Sequence, residues 1–207
     1  TPEILCAGKG VFEMTVVAMW CRHAGDDLIG IGDNIPWNVP SDTKHFLDVV
    51  SGQTVVCGRI TYESFPGRTI DGCKMLVLTS NPEYEVSDLA AHRVISGQKA
   101  LAEEETDIYV AGGAAVYYLF MTGKEKLKPQ IVVDCVYEGE TADLPGEKIS
   151  IADSVAVMLK GYRRISPFYV LDNVKSAVWV RKGDFVEQSV LKRIAGILEK
   201  GATIVWE

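Results

Sequence analysis

Five short runs of apolar and β-branched residues constrain the fold of this chain more than any other feature. They lie at 15–19, 54–57, 75–78, 108–111 and 131–133. Continuous apolar runs of this length are typical of strands that are buried on both faces of a sheet. Helix-like segments lie between them at 41–51, 98–105 and 114–121, and Ser41 is the expected N-cap of the first. The alternation predicts an α/β fold with a central, mostly parallel sheet and flanking helices.

The last third of the chain follows a different pattern. Segments 162–165, 169–171 and 177–181 resemble short strands joined by turns, which predicts an antiparallel edge. Segment 185–200 has helical apolar periodicity, beginning with Phe185 and closed by Gly201, and 202–206 is a further candidate strand.

No linker rich in Pro, Gly or Ser separates this tail from the rest. We therefore expect a single domain over 1–207, with a core at about 13–182 and an extra C-terminal helix and strand within 183–207. The apolar face of the tail helix is expected to pack on its own domain, because apolar faces are usually buried within the chain. The alternative is that this face forms an interface with a partner protein.

Composition excludes several classes of protein. The formal net charge of −7 lacks the basic surplus of a nucleic-acid-binding surface. The five cysteines are odd in number and form no Cys-x-x-Cys pair, so we expect reduced thiols and neither a disulfide framework nor a metal site. No apolar run reaches the ~18 residues of a transmembrane helix, and 1–10 does not resemble a signal peptide. These features together predict a cytoplasmic protein.

The segment Ile-Pro-Trp-Asn-Val-Pro-Ser-Asp at 35–42 carries the strongest functional signal. Its two prolines fix an irregular loop that ends in a helix. On that helix Asp42, Phe46, Val49 and Val50 share a face by their spacing. A carboxylate at the end of an apolar stripe suits a flat heterocycle with an amidine-like edge. The alternative is that Asp42 is only an acid favoured in the first turn of a helix.

Three further polar segments follow predicted strands. The Gly112-Gly113 pair permits a close approach of backbone to ligand, Arg59 and Thr61 can bind a phosphate, and Thr79-Ser80 adds hydroxyl donors. All lie at the carboxyl ends of predicted parallel strands, where open α/β sheets bind ligands. The alternatives are a tight turn for the glycines and an exposed surface position for Arg59.

Taken together, these motifs resemble the dihydrofolate reductase family. The resemblance covers roughly residues 13–182, with 35–42 and Phe46 followed in family order by 58–64, 78–80, 111–117 and 139–141. It implies a dihydrofolate-reductase-like sheet, NADPH as hydride donor, and reduction of 7,8-dihydrofolate to tetrahydrofolate by hydride transfer to C6 and protonation at N5. It also implies an oxidoreductase of one-carbon metabolism, a target of antifolates, that is a monomer or homodimer and binds neither nucleic acid nor membrane.

The resemblance also assigns the site residues. Asp42 would bind the pterin and assist protonation, with Trp37 holding an ordered water, and Val16 and Ala111 would offer carbonyls to the pterin. The implied substrate-binding residues are Val16, Val17, Ala18, Phe46, Val50, Ile70, Arg68, Ala111 and Tyr117. The implied cofactor-binding residues are Ala18, Ile29, Ile35, Gly58, Arg59, Thr61, Thr79, Ser80, Gly112, Gly113, Ala114 and Val116.

The chain departs from the family pattern in three places. The arginine that clamps the substrate's glutamyl tail aligns with Cys73, or with Arg68 in a shifted alignment. The threonine that hydrogen-bonds the active-site acid has no match around 131–134, and the loop at 21–27 is about three residues longer than in compact bacterial members. These departures leave two alternatives: a related reductase of a pterin or pyrimidine without a glutamyl tail, and a non-catalytic folate- or nucleotide-binding protein.

Overall fold

The computed structural model describes residues 14–86, 92–101, 104, 106–151 and 155–206. Numbered along the chain, its strands are β1 Val16–His23, β2 Leu28–Ile31, β3 Thr54–Gly58, β4 Lys74–Leu78, β5 Arg93–Ile95, β6 Ile108–Val110, β7 Ile131–Tyr137, β8 Lys148–Ser150, β9 Tyr162–Arg164, β10 Phe168–Leu171, β11 Val174–Arg181 and β12 Thr203–Val205. Its α-helices are α1 Pro40–Val50, α2 Arg59–Ser64, α3 Ala114–Thr122, α4 Val155–Met158 and α5 Gln188–Leu198.

A central sheet runs through the molecule in the order β12-β10-β11-β7-β1-β6-β3-β4-β5, with β9 paired to β11. The strands from β7 to β5 are parallel. The strands β9 to β12 are joined to this block by antiparallel pairing. The predicted mostly parallel sheet with an antiparallel edge is therefore confirmed. The strand β1 lies between β6 and β7, so residues near its end are flanked by the ends of both neighbours.

Helices cover both faces of the sheet. On one face α1 and α5 share an apolar cluster with strand residues such as Val17, Val55 and Val133, all 0% exposed. On the other face α3 packs through Val116 and Phe120 against a second cluster. Because both faces are covered, the central strands consist of continuous apolar runs rather than alternating ones.

The first helix begins one residue earlier than predicted. Pro40 occupies the first turn, Val39 is the N-cap, and no side chain caps the helix. The prediction of Ser41 as N-cap is wrong, because the fixed φ of proline suits the first helical position and moves the cap upstream. Helix α3 agrees with its prediction. Of the predicted helix at 98–105, the described residues contain only the 3₁₀ turn Gln98–Leu101.

The tail helix α5 packs on its own chain. Its buried residues are Val190, Ile194, Ile197 and Leu198. This packing confirms the preferred interpretation and leaves the apolar face covered, so the partner-interface alternative loses its basis. Phe185, which was expected on that face, precedes the helix and is 91% exposed. Over the part of the chain that the structure describes, no helix has both the length and the apolar character needed to span a membrane.

Candidate active site

The N-terminal turn of α1 places Asp42 against the ends of β1 and β7. The Cys21 thiol of β1 lies near the Asp42 carboxylate. Burial raises the pKa of Asp42, while the Cys21 thiol and the nearby His45 partly oppose that rise.

An apolar wall continues from Asp42 along α1. The Phe46 ring stacks on Phe65 at a centroid distance of 6.2 Å and an interplanar angle of 4°. Val50 and Ile70 are buried in the same cluster. The predicted face of α1 therefore brings a carboxylate and a flat aromatic surface together, and Phe65 is a member that the sequence did not indicate.

The rigid loop before α1 is fixed by the segment after β7. Trp37 stacks on Tyr137 with ring centroids 5.0 Å apart. The Tyr137 hydroxyl donates to the Glu140 carbonyl, and the Ala142 amide donates to the Pro36 carbonyl at 2.7 Å. Trp37 thus lies on the loop that leads into α1, the helix that carries Asp42. Tyr137 packs against one face of its ring.

The β1 residues assigned to the substrate lie before the part of the strand that is near Asp42. Val16, Val17 and Ala18 are 0% exposed, and the Val16 carbonyl accepts the Gln130 amide at 2.9 Å. The assignment of that carbonyl to a ligand stays a prediction, since a carbonyl oxygen has a second lone pair. Further along β1 the Tyr117 hydroxyl donates to the Met19 carbonyl at 2.6 Å.

The reason is that β1 is longer than its apolar run. Cys21, Arg22 and His23 pair in register with Cys135, Val136 and Tyr137 of β7. The predicted long loop at 21–27 is consequently wrong over its first three residues, which are strand. The connecting turn begins only at Ala24, and the end of β1 lies beside Asp42.

The glycine that ends β3 and the glycine pair after β6 meet at the next part of the same edge. The Gly58 amide donates to the Gly112 carbonyl at 2.7 Å, and the Gly112–Gly113 peptide is cis. Gly112 has φ +99°, and a Cβ there would lie 3.1 Å from the Tyr117 ring, so only glycine fits. A Cβ on Gly113 would lie 3.5 Å from the Thr61 hydroxyl oxygen. The structure therefore brings together Gly58, Thr61 and both glycines, as the sequence predicted.

The remaining predicted cofactor residues lie on α2 and α3, just after β4, and in or after β2. Arg59 forms an ion pair with Glu63 at 2.7 Å on the exposed face of α2. Ser80 is exposed beyond β4, where the Thr79 hydroxyl accepts the Asn81 amide at 3.2 Å. Ala114 begins α3, and Val116 is buried one turn in. Ile29 lies in β2, not on a loop, and is partly buried, whereas Ile35 on the loop after β2 is 64% exposed.

The two candidates for the tail clamp are both placed. Cys73 is 6% exposed, and its thiol donates to the Val50 carbonyl at 3.0 Å. Arg68 is exposed at the end of the 3₁₀ turn Pro66–Arg68, with φ +54°. Ala111, at 9% exposure, donates its amide to Val56 and lies just past the end of β6.

A partly buried ion pair between β1 and β7 escaped the sequence interpretation. Asp134 of β7 is 5% exposed and accepts from Arg22 Nε at 2.8 Å and from the Trp20 indole at 2.7 Å. Arg22 also contacts Asp27 at 2.7 Å. The signal available in the sequence was a charge of each sign shortly after an apolar run, since charges that a fold buries need a partner.

Comparisons with known proteins agree on one family. A family model described as dihydrofolate reductase matches residues 15–143. The dihydrofolate reductase of Mycobacterium tuberculosis (strain CDC 1551 / Oshkosh) is 37% identical over 108 residues, which cover 51% of this chain and 65% of that protein. Dihydrofolate reductase type 3 of Salmonella typhimurium is 33% identical over 102 residues, covering 49% of this chain and 62% of that protein. The matched segment thus spans less than two thirds of these relatives.

A solved structure with the same architecture is the dihydrofolate reductase from Enterococcus faecalis complexed with NADP(H) and RAB-propyl. It superposes with a TM-score of 0.64 at 21% identity, covering 83% of this chain and 98% of that chain. That similarity establishes the fold. Because the family model covers more than half of the sequence, the chain belongs to the dihydrofolate reductase family.

Proposed function

We propose that this protein is an NADPH-dependent dihydrofolate reductase, which transfers a hydride to C6 of 7,8-dihydrofolate and protonates N5 to give tetrahydrofolate. The observation that carries the proposal is the partly buried Asp42 carboxylate near the carboxyl end of β1, continued by the flat wall of Phe46 and Phe65. A pterin offers a ring N–H and an amino group on one edge, and two such donors match the two oxygens of a carboxylate.

Asp42 then has two tasks. As an anion it binds and orients the pterin edge, so that the reacting carbon faces the cofactor. Because burial raises its pKa, the carboxyl group also gains protons more readily than an exposed aspartate, which suits delivery of a proton through a water near N5. Trp37, held by Tyr137, would fix that water.

The residues present fit a dinucleotide cofactor. Gly58, Gly112 and Gly113 leave backbone open to close approach, and Thr61 places a hydroxyl beside Gly113. Thr79 and Ser80 add hydroxyls just after β4, the strand that pairs with β3. The first turn of α3 follows Gly113 directly, and its amides favour a phosphate. Arg59 is the cation expected to select a phosphorylated cofactor, in competition with its partner Glu63. When bound, NADPH supplies the hydride.

A second candidate activity is supported by Cys73. This residue aligns with the tail clamp but presents a buried thiol turned onto the backbone of α1 rather than a cation. We therefore keep open a reductase of a pterin or pyrimidine that carries no glutamyl tail. The Val16 and Ala111 carbonyls would bind the ring in either case.

One assay tests both candidates. We expect dihydrofolate to drive NADPH oxidation by the purified protein, and we expect Asp42→Asn to lower kcat/KM by at least about 100-fold, as for loss of an acid–base group. Asp48→Asn is the matched control, because Asp48 lies on the same helix and pairs with exposed Lys44 in an i,i+4 contact. Full activity of Asp42→Asn would refute the role of Asp42. Equal kcat/KM for dihydrofolate and a dihydropterin without the glutamyl tail would favour the second candidate.

The last part of the proposal concerns the cellular location and the oligomeric state of the protein. We propose a cytoplasmic location, supported by the free thiols of Cys21, Cys57, Cys73 and Cys135. Cys6 lies outside the described residues. The small-molecule substrate makes a monomer or homodimer sufficient for activity, and sedimentation of the purified protein distinguishes the two.

A further inference from the structure

The tail helix α5 contacts two other elements through one side chain. The Arg193 guanidinium donates to the Val49 carbonyl at 2.7 Å, in the last turn of α1. Its other terminal nitrogen donates to the Tyr109 hydroxyl of β6, and its central carbon lies 5.3 Å from the centre of that ring. Val49 and Tyr109 are both buried. These two contacts form the Arg193 bridge, which joins a helix to a strand.

The two bridged elements carry different halves of the candidate site. Helix α1 carries Asp42 and Phe46, which are assigned to the ring of the substrate. Strand β6 ends at Val110 and leads directly into residues 111–113, which are assigned to a ring contact and to the cofactor. The hydride must pass between these halves, so their separation decides whether the two reacting carbons come into reach.

The bridge acts on Asp42 through the length of α1. Val49 follows Asp42 by seven residues, so the two lie about 10 Å apart along the axis, and a tilt of about 5° at one end moves the other by about 1 Å. At its last turn α1 has a second side-chain contact, since the Cys73 thiol donates to the Val50 carbonyl at 3.0 Å. That contact runs to the residue before β4, whereas the Arg193 bridge runs to the strand that leads into the cofactor glycines.

An arginine suits this position for a physical reason. Its planar guanidinium presents its donors in a fixed fork, so two acceptors bound to it are held at a set distance and angle. Helix α5 also lies outside residues 15–143, which the family model matches. The bridge therefore comes from a part of the chain to which the family resemblance assigns no role.

We propose that Arg193 is a positioning residue, which fixes the substrate half of the site on α1 against the cofactor half after β6 and so couples the binding of the two ligands. This role rests on the proposed function, since it requires the ring and the cofactor to bind side by side. With the bridge in place, one ligand orders both halves, and the second ligand binds more tightly as a result. Without it, each ligand orders only its own half, and the coupling falls.

Binding of 2,4-diaminopyrimidine, measured by calorimetry with and without saturating NADPH, tests the proposal without turnover. The probe offers an amidine edge to Asp42, and the ratio of its two dissociation constants is the coupling factor. We expect Arg193→Met to lower this factor by about threefold or more, while the affinity for the probe alone changes less. Lys192→Met is the matched control and should keep the wild-type factor, because Lys192 is the exposed neighbour on the same helix.

A second variant breaks the other end of the bridge. Tyr109→Phe removes the hydroxyl that accepts from Arg193 and keeps the buried ring. We expect it to lower the coupling factor as well, and we expect the double variant to match Arg193→Met, because partners in one contact are not additive. Effects that add would show that the two residues act separately, which overturns the bridge. If Arg193→Met fails to fold, Tyr109→Phe decides alone, and an unchanged factor overturns the role.

The outcomes separate the inference from a purely structural role and from the proposed function. A residue that only stabilises the fold would shift the unfolding transition and leave the coupling factor of Arg193→Met equal to that of Lys192→Met, which would overturn the role. A wild-type protein without coupling would overturn it equally. A reduced factor in a protein that binds both compounds but does not oxidise NADPH with dihydrofolate would overturn the function and keep the role.

Discussion

At the scale of single residues, Asp42 is held between opposing influences. Burial favours its neutral form, whereas the Cys21 thiol and His45 favour its charge. The sequence allowed Asp42 and Phe46 to be predicted together, because helical spacing places them on one face whatever the rest of the fold does. Cys21 and Met19 could not be predicted in this way. Their relation to Asp42 depends on where β1 ends and on its register with β7, and both are set by tertiary packing.

Asp42 should make the protein less stable at neutral pH. Its pKa is raised in the folded state, so the folded protein binds more protons than the unfolded chain between the unfolded and folded pKa values. Stability therefore falls as pH rises through that window and stays lower above it. We expect Asp42→Asn to raise the free energy of unfolding by about 1 kcal/mol at pH 7. This is the usual size of the gain when a functional group that costs stability is replaced. Urea denaturation checks this.

The pH dependence of that difference is the decisive part of the measurement. The gain should disappear at acidic pH, where the wild-type carboxyl group is protonated in both states. A gain of equal size at every pH would point to packing of the amide rather than to charge.

At the scale of elements, the long apolar strands were predictable because they are buried on both faces of the sheet and therefore consist of continuous apolar residues. Helix α3 was predictable because it buries one apolar side. The short strands β2, β5 and β8 were not, since three or four residues carry too little pattern to be separated from loops. The existence of α5 was predictable from its periodicity, but its neighbour was not. Nothing in its sequence indicates that its Arg193 reaches the end of α1, 144 residues away.

Arg193 connects the tail helix to the helix that carries Asp42. Its guanidinium donates to the Val49 carbonyl at 2.7 Å, in the last turn of α1, and to the Tyr109 hydroxyl. A cation there satisfies a terminal carbonyl and the negative end of the helix dipole. We expect Arg193→Met to lower the free energy of unfolding by about 1–3 kcal/mol, since it leaves partly buried groups unpaired.

Lys192→Met is the matched control for this prediction, because Lys192 is the exposed neighbour on the same helix. Both variants are compared by denaturant unfolding. Equal midpoints for the two would mean that the contact of Arg193 with α1 contributes nothing measurable.

At the scale of the whole molecule, the order of the motifs could be predicted from the sequence, because each lies at the end of a strand and strand ends of a parallel sheet share one edge. The position of the C-terminal tail in the fold could not be predicted from the sequence. Its helix covers the same face as α1, and β12 pairs with β10 at the border of the sheet. We propose that the tail belongs to one folding unit with the core, rather than being an appendage.

Removal of the tail tests that proposal. A chain ending at Lys182 loses four buried side chains of α5, each contributing about 1.5–3 kcal/mol. Together these approach the ~5–15 kcal/mol that stabilises a typical domain. It also exposes the edge of β10, which favours aggregation. We expect this chain to be largely unfolded or insoluble, whereas one ending at Ala202 keeps α5 and folds with a smaller loss. Two separate unfolding transitions in the full chain would instead make the tail an independent unit, because one cooperative core unfolds in a single step.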